Sequence, residues 1–540
     1  MTAWNFADVW ETVAEWRADE PAQTLGTAHS TWRDFEARAD GVAAGLLAAG
    51  LGRQAKVAQY LYNHPEYLES VFGVLKAGMV PVNTNFRYTE SELVYLWDNA
   101  DAEVVIFQGA FAERVAALRP QLPGVRQWWW VDDGVQHCPS WAIPYAEIAA
   151  AGRPGVGTAP PGGRSGDDLL LIYTGGTTGM PKGVMWRQDD LFSILNRTGE
   201  VRYPAEEGLA GVRRVLGAPS RHAPARLIPC APLMHGTGLF TAMSALSSAG
   251  SIVLLEGRSF SATELLNTVE RERVTECSIV GDVFAKPVLR ELDAHPGHWD
   301  LSSLWLMVSS GVMWSAEVKA GLLRHQPRLV LVDTLGSSEA IGLARSATSA
   351  KGVASTAGFQ LGADTQVLDD RGRPVVAGSG DIGLVALRGR GPVGYYKDEA
   401  KTASTFRIID GVRWSIPGDW AAVEADGTVR LLGRGSGCIN TGGEKVFPEE
   451  VEEALKRYPF VRDAVVVGVP DERFGEAVVA LVELDDGAAF DETALIASVK
   501  TTLAGYKAPK RVVHVETIGR AANGKADYKR SRAEALAALD

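Results

Sequence analysis

Up to about residue 350, apolar residues recur at helical spacing in some segments and form short unbroken runs, typical of buried strands, in others. The helical period predicts helices over residues 5–17, 31–47, 65–76 and 89–97, the last opened by a capping box at Thr89 and Glu92. Apolar runs predict strands over residues 57–62, 79–83, 103–107, 169–172, 274–280, 304–308 and 329–332. Because the strands and helices alternate over short connections, the sequence predicts an α/β fold with a largely parallel sheet.

The pattern changes near residue 360 to short strands separated by glycine turns, which predicts a β-rich subdomain. From about residue 435 a β-poor stretch is followed by a predicted helix, two strands, a helix and a strand, at residues 448–458, 464–469, 477–484, 492–503 and 511–515. The predicted division is a large N-terminal domain, residues 1–434, and a small α+β C-terminal domain, residues 435–540. Within the large domain, α/β subdomains extend to about residue 355 and the β-rich subdomain covers about residues 356–434.

Two stretches lack a simple pattern. Residues 203–226 are rich in proline, glycine and arginine without a clear period, which predicts a long surface loop, either decoration or a lid over the site. Residues 227–255 carry no formal charge apart from His235, but prolines and glycines interrupt them. We therefore predict a buried helix over residues 239–249 and a strand over 251–255 rather than a transmembrane span.

Composition narrows the class of protein. A net charge of −12 over 540 residues argues against nucleic acid as the main partner, since a phosphate backbone needs a basic face. The cysteines are far apart in the sequence and form no Cys-x-x-Cys pair, so we predict neither disulfides nor a zinc site. With no basic region followed by an apolar core at the N-terminus, a cytoplasmic location is predicted.

Residues 173–184 (YTGGTTGMPKGV) form the most informative motif and follow a predicted buried strand. Glycines and threonines present backbone N–H groups and hydroxyls to an anion, and Lys182 adds a positive charge. Because Gly183 follows Lys182, the motif is not a Walker A loop. Polyphosphate binding is favoured over a flexible hairpin turn.

Three weaker motifs follow. Residues 335–339 (LGSSE) end in Glu339, a carboxylate suited to Mg²⁺, although Gly-Ser-Ser-Glu also makes a helix N-cap. Asp419 could bind ribose hydroxyls or end a β-turn, and the glycine-rich stretch 433–445 is interpreted as a hinge. Residues 519–525 fit Gly-x4-Gly-Lys, but Ala526 stands where Ser or Thr is needed, and Lys525 read alone is a solvated lysine in a flexible tail.

Taken together, these motifs resemble those of the adenylate-forming superfamily, which includes acyl-CoA synthetases, luciferases and peptide-synthetase adenylation domains. The resemblance covers almost the whole chain and rests on motifs that occur in the family's order, at residues 173–184, 335–339, 417–419, 433–434, 442–445 and 523–525. It implies an enzyme that uses ATP and Mg²⁺ to adenylate a carboxylic acid, releases pyrophosphate and passes the acyl group to a thiol such as coenzyme A.

The resemblance assigns a role to each motif. Phosphate ligands would be Thr174, Gly175, Gly176, Thr177, Thr178, Gly179 and Lys182. Nucleotide and acyl binding would involve Ser310, Gly311, Gly336, Ser337 and Ser338, ribose binding Asp419 and Arg434, and Mg²⁺ binding Glu339. Lys525 would bridge the ATP α-phosphate and the substrate carboxylate during adenylation.

In the family the small C-terminal domain then rotates about a hinge, and a glycine-rich loop lines a tunnel for the thiol. Here that loop would be Gly442, Gly443, Glu444 and Lys445, and His235 would open the tunnel. Three positions depart from the family pattern. Ser338 stands where the family usually has Thr, Gly437 replaces the usual Asp or Lys of the hinge, and Leu335 replaces an aromatic residue that stacks on adenine.

Residues 173–192, 335–339 and 438–452 resemble the actinobacterial fatty-acid CoA ligases, and within them enzymes that activate steroid side-chain carboxylates. Ala340 departs from the threonine typical of that branch. Medium- or long-chain fatty acids are the alternative substrates, and a carrier protein is the alternative acceptor, although no downstream carrier domain is visible. The presence of Lys182, Glu339 and Lys525 argues against a non-catalytic nucleotide-binding protein. The resemblance leaves the length of the acyl chain and the oligomeric state open, and it allows a homodimer.

Overall fold

The computed structural model describes residues 4–152, 159–174, 180–199, 201–219, 223–352, 358–434, 437–441, 444–471, 474–520 and 526–539. The helices are α1 (Phe6–Trp16), α2 (Trp32–Ala48), α3 (Pro65–Lys76), α4 (Glu90–Asn99), α5 (Ala112–Leu118), α6 (Tyr145–Ala150), α7 (Gln188–Thr198), α8 (Leu209–Gly217), α9 (Gly236–Ser247), α10 (Ala262–Arg271), α11 (Gly281–Ala294), α12 (Ala316–His325), α13 (Glu399–Thr405), α14 (Pro448–Lys456), α15 (Glu492–Thr502) and α16 (Tyr528–Leu539).

The strands are β1 (Pro21–Leu25), β2 (Ala28–Thr31), β3 (Lys56–Tyr60), β4 (Val80–Asn83), β5 (Ala102–Gln108), β6 (Gln127–Val131), β7 (Ile143–Pro144), β8 (Leu169–Thr174), β9 (Lys182–Arg187), β10 (Arg226–Pro229), β11 (Ser251–Leu254), β12 (Glu276–Ile279), β13 (Leu306–Ser310), β14 (Val330–Ser337), β15 (Ala340–Thr348), β16 (Gly358–Leu361), β17 (Thr365–Leu368), β18 (Ile382–Arg388), β19 (Gly394–Tyr395), β20 (Phe406–Ile409), β21 (Val412–Ser415), β22 (Asp419–Val423), β23 (Val429–Arg434), β24 (Ile439–Thr441), β25 (Glu444–Val446), β26 (Val461–Asp471), β27 (Gly475–Leu484) and β28 (Arg511–His514).

Two sheets contain most of the strands. The larger runs β2-β1-β11-β10-β12-β13-β14-β15-β16-β23-β22-β18-β21-β20, with β17 beside β18. It is parallel from β1 to β14 and antiparallel from β14 onward, so one continuous sheet joins the predicted α/β and β-rich parts. The second sheet runs β19-β9-β8-β4-β3-β5-β6-β7 and is parallel from β8 to β7. The predicted α/β class is confirmed.

The main core lies between these two sheets and is filled by α1, α2, α3 and α9. Trp10 of α1 packs edge-on against Phe72 of α3, with ring centroids 5.2 Å apart, and Phe35 of α2 contacts both rings. These fully buried aromatic side chains stabilise the layer by removing large apolar surfaces from water. The capping boxes at Thr31 and Thr89 start α2 and α4, as predicted for α4.

Residues from 439 onward form a smaller unit around a third sheet, β25-β24-β27-β26 with β28 parallel to β27. Helices α14 and α15 cover one face of this sheet and α16 covers the other. The unit contacts the β-rich part where the Phe447 ring lies 6.3 Å from the Trp420 ring. The predicted boundary between residues 434 and 435 stays a prediction.

Two sequence interpretations need correction. Residues 203–226 are not simply a loop, because α8 forms within them and buries Val212 and Leu216 against α1. Arg17 at the end of α1 donates to the Leu216 carbonyl, which fixes the end of α8. The stretch predicted to be β-poor contains the hairpin β24–β25.

Two further observations concern the membrane and thiol predictions. Among the described residues, no helix is both long and apolar enough to span a bilayer. All four cysteines are free thiols, but the fold brings Cys230 and Cys277 together, with their sulfur atoms 3.4 Å apart near neighbouring strands β10 and β12.

Candidate active site

The glycine- and threonine-rich motif connects two antiparallel strands. Thr174 ends β8, Lys182 begins β9, and the two residues face each other in the ladder. Residues 175–179, and with them Gly175, Gly176, Thr177, Thr178 and Gly179, lie outside the described residues. The fold therefore presents the two ends of the motif side by side at the end of a hairpin. The Lys182 ammonium pairs with the Asp398 carboxylate, with Nζ and Oδ2 2.5 Å apart.

Glu339 lies in the turn between β14 and β15. The hairpin forms because β14 runs on to Ser337, with a register shift near Gly336, before the chain reverses at Ser338. The Tyr395 hydroxyl donates to Glu339 Oε1 at 2.7 Å. The helix N-cap considered for this motif is not formed. The half-buried Glu339 carboxylate contacts Tyr395, three residues before the Asp398 that pairs with Lys182.

Asn83 and Trp186 connect the surrounding segments. The Asn83 side-chain amide donates to the carbonyls of Tyr173 at 2.9 Å and Met234 at 2.6 Å, and accepts from the Tyr173 N–H. The buried Trp186 indole donates to the Ser338 carbonyl at 2.9 Å. These bonds hold the strand before the phosphate motif, the Glu339 turn and the segment before His235 in one arrangement.

His235 immediately precedes α9, and its carbonyl accepts the first hydrogen bond of that helix from Leu239. The next residue, Gly236, approaches the Glu339 turn, because a Cβ built there would lie 3.7 Å from Ser338 Oγ. The first residue of α9 therefore lies next to the Glu339 turn. This closeness arises from the buried helix α9 placed between the two sheets.

Ser310 ends β13 and Gly311 follows with φ +94°, a left-handed conformation that favours glycine. Both stand beside β14, where Thr334 donates to the Ser309 carbonyl. Gly281 closes the other side by donating its N–H to Ser309 Oγ at 2.8 Å. The predicted adenine and acyl stretch thus lies at the carboxyl end of parallel strands, where ligands bind in α/β folds.

Replacing Gly281 by alanine is expected to destabilise the protein by about 3 kcal/mol, because strain and overpacking add. Gly281 has φ +53°, and its Cβ would lie 2.3 Å from the Met313 carbonyl oxygen. Gly297→Ala is the matched control, since Gly297 has φ +72° with nothing within 4 Å of a Cβ. The control should cost about 1 kcal/mol. Thermal unfolding of the two variants measures the difference, and equal melting temperatures would contradict the packing argument.

Asp419 begins β22, is 5% exposed and faces Arg434 of β23 in the ladder. Ser415, shortly before Asp419, donates to the Glu339 carbonyl at 2.7 Å. Ser415 thereby connects the chain just before Asp419 to the Glu339 turn. The Arg434 side chain is not among the described parts of the chain.

The remaining candidates belong to the C-terminal unit. Glu444 begins β25 and is exposed, and Lys445 faces Asn440 across the β24–β25 hairpin. Gly442, Gly443 and Lys525 lie outside the described residues. Gly437 is described, and a Cβ there would lie 3.7 Å from the Pro448 ring, so the hinge position would accept a small side chain.

Several residues that contact the candidate site were not found from the sequence. Asn83 carried a usable signal, because it is a polar residue at the carboxyl end of a predicted strand. Tyr395 and Asp398 carried none, since their partners Glu339 and Lys182 are distant in the sequence.

Comparison with known proteins decides the family. Residues 9–396 match the model of AMP-binding enzymes, and residues 450–525 match the model of the AMP-binding enzyme C-terminal domain. The chain belongs to the AMP-binding enzyme family.

This AMP-binding enzyme is 40% identical over 531 residues to the medium/long-chain-fatty-acid–CoA/3-oxocholest-4-en-26-oate–CoA ligase of Mycobacterium tuberculosis, covering 98% of this chain and 95% of the relative. It is 38% identical to the 3-oxocholest-4-en-26-oate–CoA ligase of Rhodococcus rhodochrous, over 98% and 95% of the two chains. It is 39% identical to the medium-chain acyl-CoA ligase Mig of Mycobacterium avium, over 99% of each chain.

Solved structures agree with the fold. ATP-bound MatB from Rhodopseudomonas palustris superposes with a TM-score of 0.79 at 26% identity, covering 98% of each chain. The anthranilate CoA ligase AuaEII superposes with a TM-score of 0.84 at 22% identity, covering 100% of this chain and 98% of that one. The predicted family, fold class and enzyme class are confirmed by these matches.

Proposed function

We propose that this protein is an ATP-dependent acyl-CoA synthetase. It joins a carboxylic acid to the α-phosphate of ATP with release of pyrophosphate, and then transfers the acyl group from the adenylate to the thiol of coenzyme A with release of AMP. The observation that supports this most strongly is the direct linkage between the Lys182 hairpin and the Glu339 turn through Asp398, Tyr395 and Trp186. The acyl-CoA ligases among its relatives support the same reaction.

At the phosphate end, Thr174, Lys182 and the loop between them would hold the β- and γ-phosphates. These phosphates leave as pyrophosphate, so the loop stabilises the leaving group rather than the attacking group. Glu339 offers a hard oxygen donor at a half-buried turn, which fits Mg²⁺, an ion that binds one or two carboxylates together with phosphates and water. Bound Mg²⁺ would neutralise the charge that develops on the phosphates.

At the other end, Asp419 and Arg434 would bind the ribose, and Lys525 would stabilise negative charge on the α-phosphate as the carboxylate attacks. No protein nucleophile is needed, because the substrate carboxylate supplies the electron pair. Catalysis of this step then consists of positioning and electrostatic stabilisation. The thioester step would use Gly442, Gly443, Glu444 and Lys445 along the thiol path, with His235 at its inner end.

The substrate we propose is a steroid side-chain acid or another bulky or medium- to long-chain acid. The names of the actinobacterial relatives support both steroid and fatty acids, and the identity of about two residues in five over nearly the full length supports a shared substrate class. A carrier protein as acceptor in place of coenzyme A is the second candidate. A domain boundary at 434/435, a cytoplasmic location and a homodimer stay predictions.

ATP–pyrophosphate exchange, measured with short-, medium- and long-chain acids and with sterol-derived acids, tests the first half-reaction. We expect exchange with long-chain or sterol-derived acids. No exchange with any acid would refute the proposed function. Thioester formation is then followed with coenzyme A and with a phosphopantetheinylated carrier protein in parallel. Acyl transfer to the carrier protein but not to coenzyme A would show that a carrier protein is the acceptor.

A further inference from the structure

A short segment lies between the phosphate motif and the Glu339 turn. We call residues 394–398 the bridging segment; it contains β19 and the N-cap of α13. It pairs with β9, the strand that Lys182 begins, and the Tyr396 N–H donates to the Gly183 carbonyl at 2.8 Å. The bridging segment is therefore hydrogen-bonded to the strand that carries the phosphate lysine.

Two of its side chains contact the two groups expected to bind MgATP. The Tyr395 hydroxyl donates to Glu339 Oε1 at 2.7 Å, and Asp398 Oδ2 lies 2.5 Å from Lys182 Nζ. The Lys182 ammonium and the Lys401 N–H hold the pKa of Asp398 below its ordinary value, so the carboxylate is ionised at neutral pH. One segment thus contacts both the predicted metal ligand and the predicted phosphate ligand.

The bridging segment is fixed by contacts that need no nucleotide. The Tyr396 hydroxyl and the Lys397 ammonium each lie 2.7 Å from the Asp101 carboxylate. Thr402 Oγ1 donates to the Asp398 carbonyl at 2.7 Å and accepts from the Tyr395 N–H at 2.8 Å. Lys397 has φ +55°, a conformation that a residue with a side chain keeps only where its surroundings determine it. Tyr395 and Asp398 are therefore held in place before ATP arrives.

We propose that Tyr395 and Asp398 are positioning residues for MgATP, Tyr395 acting through Glu339 and Asp398 acting through Lys182. The inference rests on the proposed function, since it assumes that these two partners bind the metal and the phosphates. A carboxylate has several acceptor sites and an ammonium has three donors. Each partner therefore keeps capacity for its ligand while one hydrogen bond sets its orientation, as groups behind metal ligands do elsewhere.

Tyr395→Phe tests the metal side, with Tyr396→Phe as the matched control. Tyr396 is the adjacent tyrosine, and its hydroxyl contacts Asp101, where Lys397 still holds the segment. We expect Tyr395→Phe to raise the Kd for ATP about tenfold at limiting Mg²⁺ and to approach the unsubstituted protein at high Mg²⁺. Isothermal titration calorimetry with ATP across a series of MgCl2 concentrations measures this. The melting temperature without nucleotide should be the same for both variants.

Asp398→Asn tests the phosphate side. Asparagine caps α13 as well as aspartate does, so the bond from the Lys401 N–H is kept while the charge that pairs with Lys182 is removed. We expect the Kd for MgATP to rise about fivefold at every Mg²⁺ concentration. Adding Asp398→Asn to Lys182→Ala should produce no further loss, because Asp398 acts through Lys182.

Several results would overturn the inference. Among them are a Kd for ATP in Tyr395→Phe equal to that of Tyr396→Phe across the Mg²⁺ series, a lowered Kd in Asp398→Asn, and additive losses with Lys182→Ala. Because binding is measured directly, the inference is tested even if no acid supports pyrophosphate exchange. That outcome would refute the proposed function alone. Absence of MgATP binding to the unsubstituted protein would overturn both.

Discussion

Replacing Lys525 by alanine is expected to slow adenylation by about 100- to 1,000-fold, the cost of removing one preorganised donor from developing negative charge. The same variant should convert a supplied acyl-adenylate and coenzyme A to the thioester at close to the unsubstituted rate. The difference arises because the lysine is proposed to act on the α-phosphate only while pyrophosphate leaves. ATP–pyrophosphate exchange measures the first step, and single-turnover thioester formation from the synthetic adenylate measures the second.

Lys529→Ala is the matched control, because Lys529 is an exposed lysine at the start of α16, close to Lys525 in the sequence. It should leave both half-reactions unchanged. If Lys525→Ala slowed both half-reactions equally, the proposal that Lys525 acts only in adenylation would be wrong. Such a result would point to one fixed arrangement of the C-terminal unit serving both steps.

The second large effect concerns stability and is expected for Lys76→Met. Lys76 is 1% exposed, and its ammonium contacts carboxylates of Glu11, Glu36 and Asp40 at 3.1, 2.5 and 2.6 Å. These three acids come from α1 and α2, while Lys76 ends α3, so one cation joins three helices of the main core. Its removal leaves buried carboxylates without their cation, which costs about 3–5 kcal/mol.

The loss should depend on pH. Burial raises the pKa of Glu36 to about 7 even with Lys76 beside it. Removing the cation raises this pKa further. A carboxyl whose pKa is raised on folding contributes stability at low pH that is lost as the pH rises through the folded-state value. Lys76→Met should therefore be more destabilised at pH 8 than at pH 6. In this variant Glu11 still pairs with Arg164, so Glu36 and Asp40 are the carboxylates that lose their cation.

Thermal unfolding of Lys76→Met beside Lys500→Met at both pH values provides the measurement. Lys500 also lies in the last turn of its helix, but it is exposed. Adding Glu36→Gln to Lys76→Met should restore part of the loss, because one of the three carboxylates is then neutral. Equal melting temperatures for the two lysine variants would contradict the proposed role of the cluster.

Elements with a strong local signal could be predicted. The helix α3 begins at Pro65 and ends at Lys76 as expected, because proline favours the first turn and glycine follows the last. The helix α8 was missed although Leu209, Val212 and Leu216 have helical spacing, since glycines at both ends made the short segment resemble a loop. The hairpin β24–β25 was missed because its strands have only three residues each.

Site residues could be predicted where they belong to a sequence motif. Residues that reach the site only through a contact with a distant part of the chain could not. Lys182 and Glu339 stand in recognisable motifs, whereas their contacts Asp398 and Tyr395 do not. Trp186 looked like an ordinary strand residue, and only its indole bond to the Ser338 carbonyl shows that it supports the Glu339 turn. Contacts between residues far apart in the chain leave no local pattern in the sequence.

The single ladder from β14 through β15 and β16 to β23 and β22 has a mechanical consequence. Glu339 lies in the turn that joins β14 to β15, and Asp419 and Arg434 lie on the paired strands β22 and β23 of the same ladder. A hydrogen-bonded sheet resists stretching in its own plane, so the distance between the metal and ribose candidates is set by a stiff spacer. A rotation of the C-terminal unit about Gly437 would then leave that distance unchanged. The proposed metal and ribose ligands would keep the same spacing in both half-reactions.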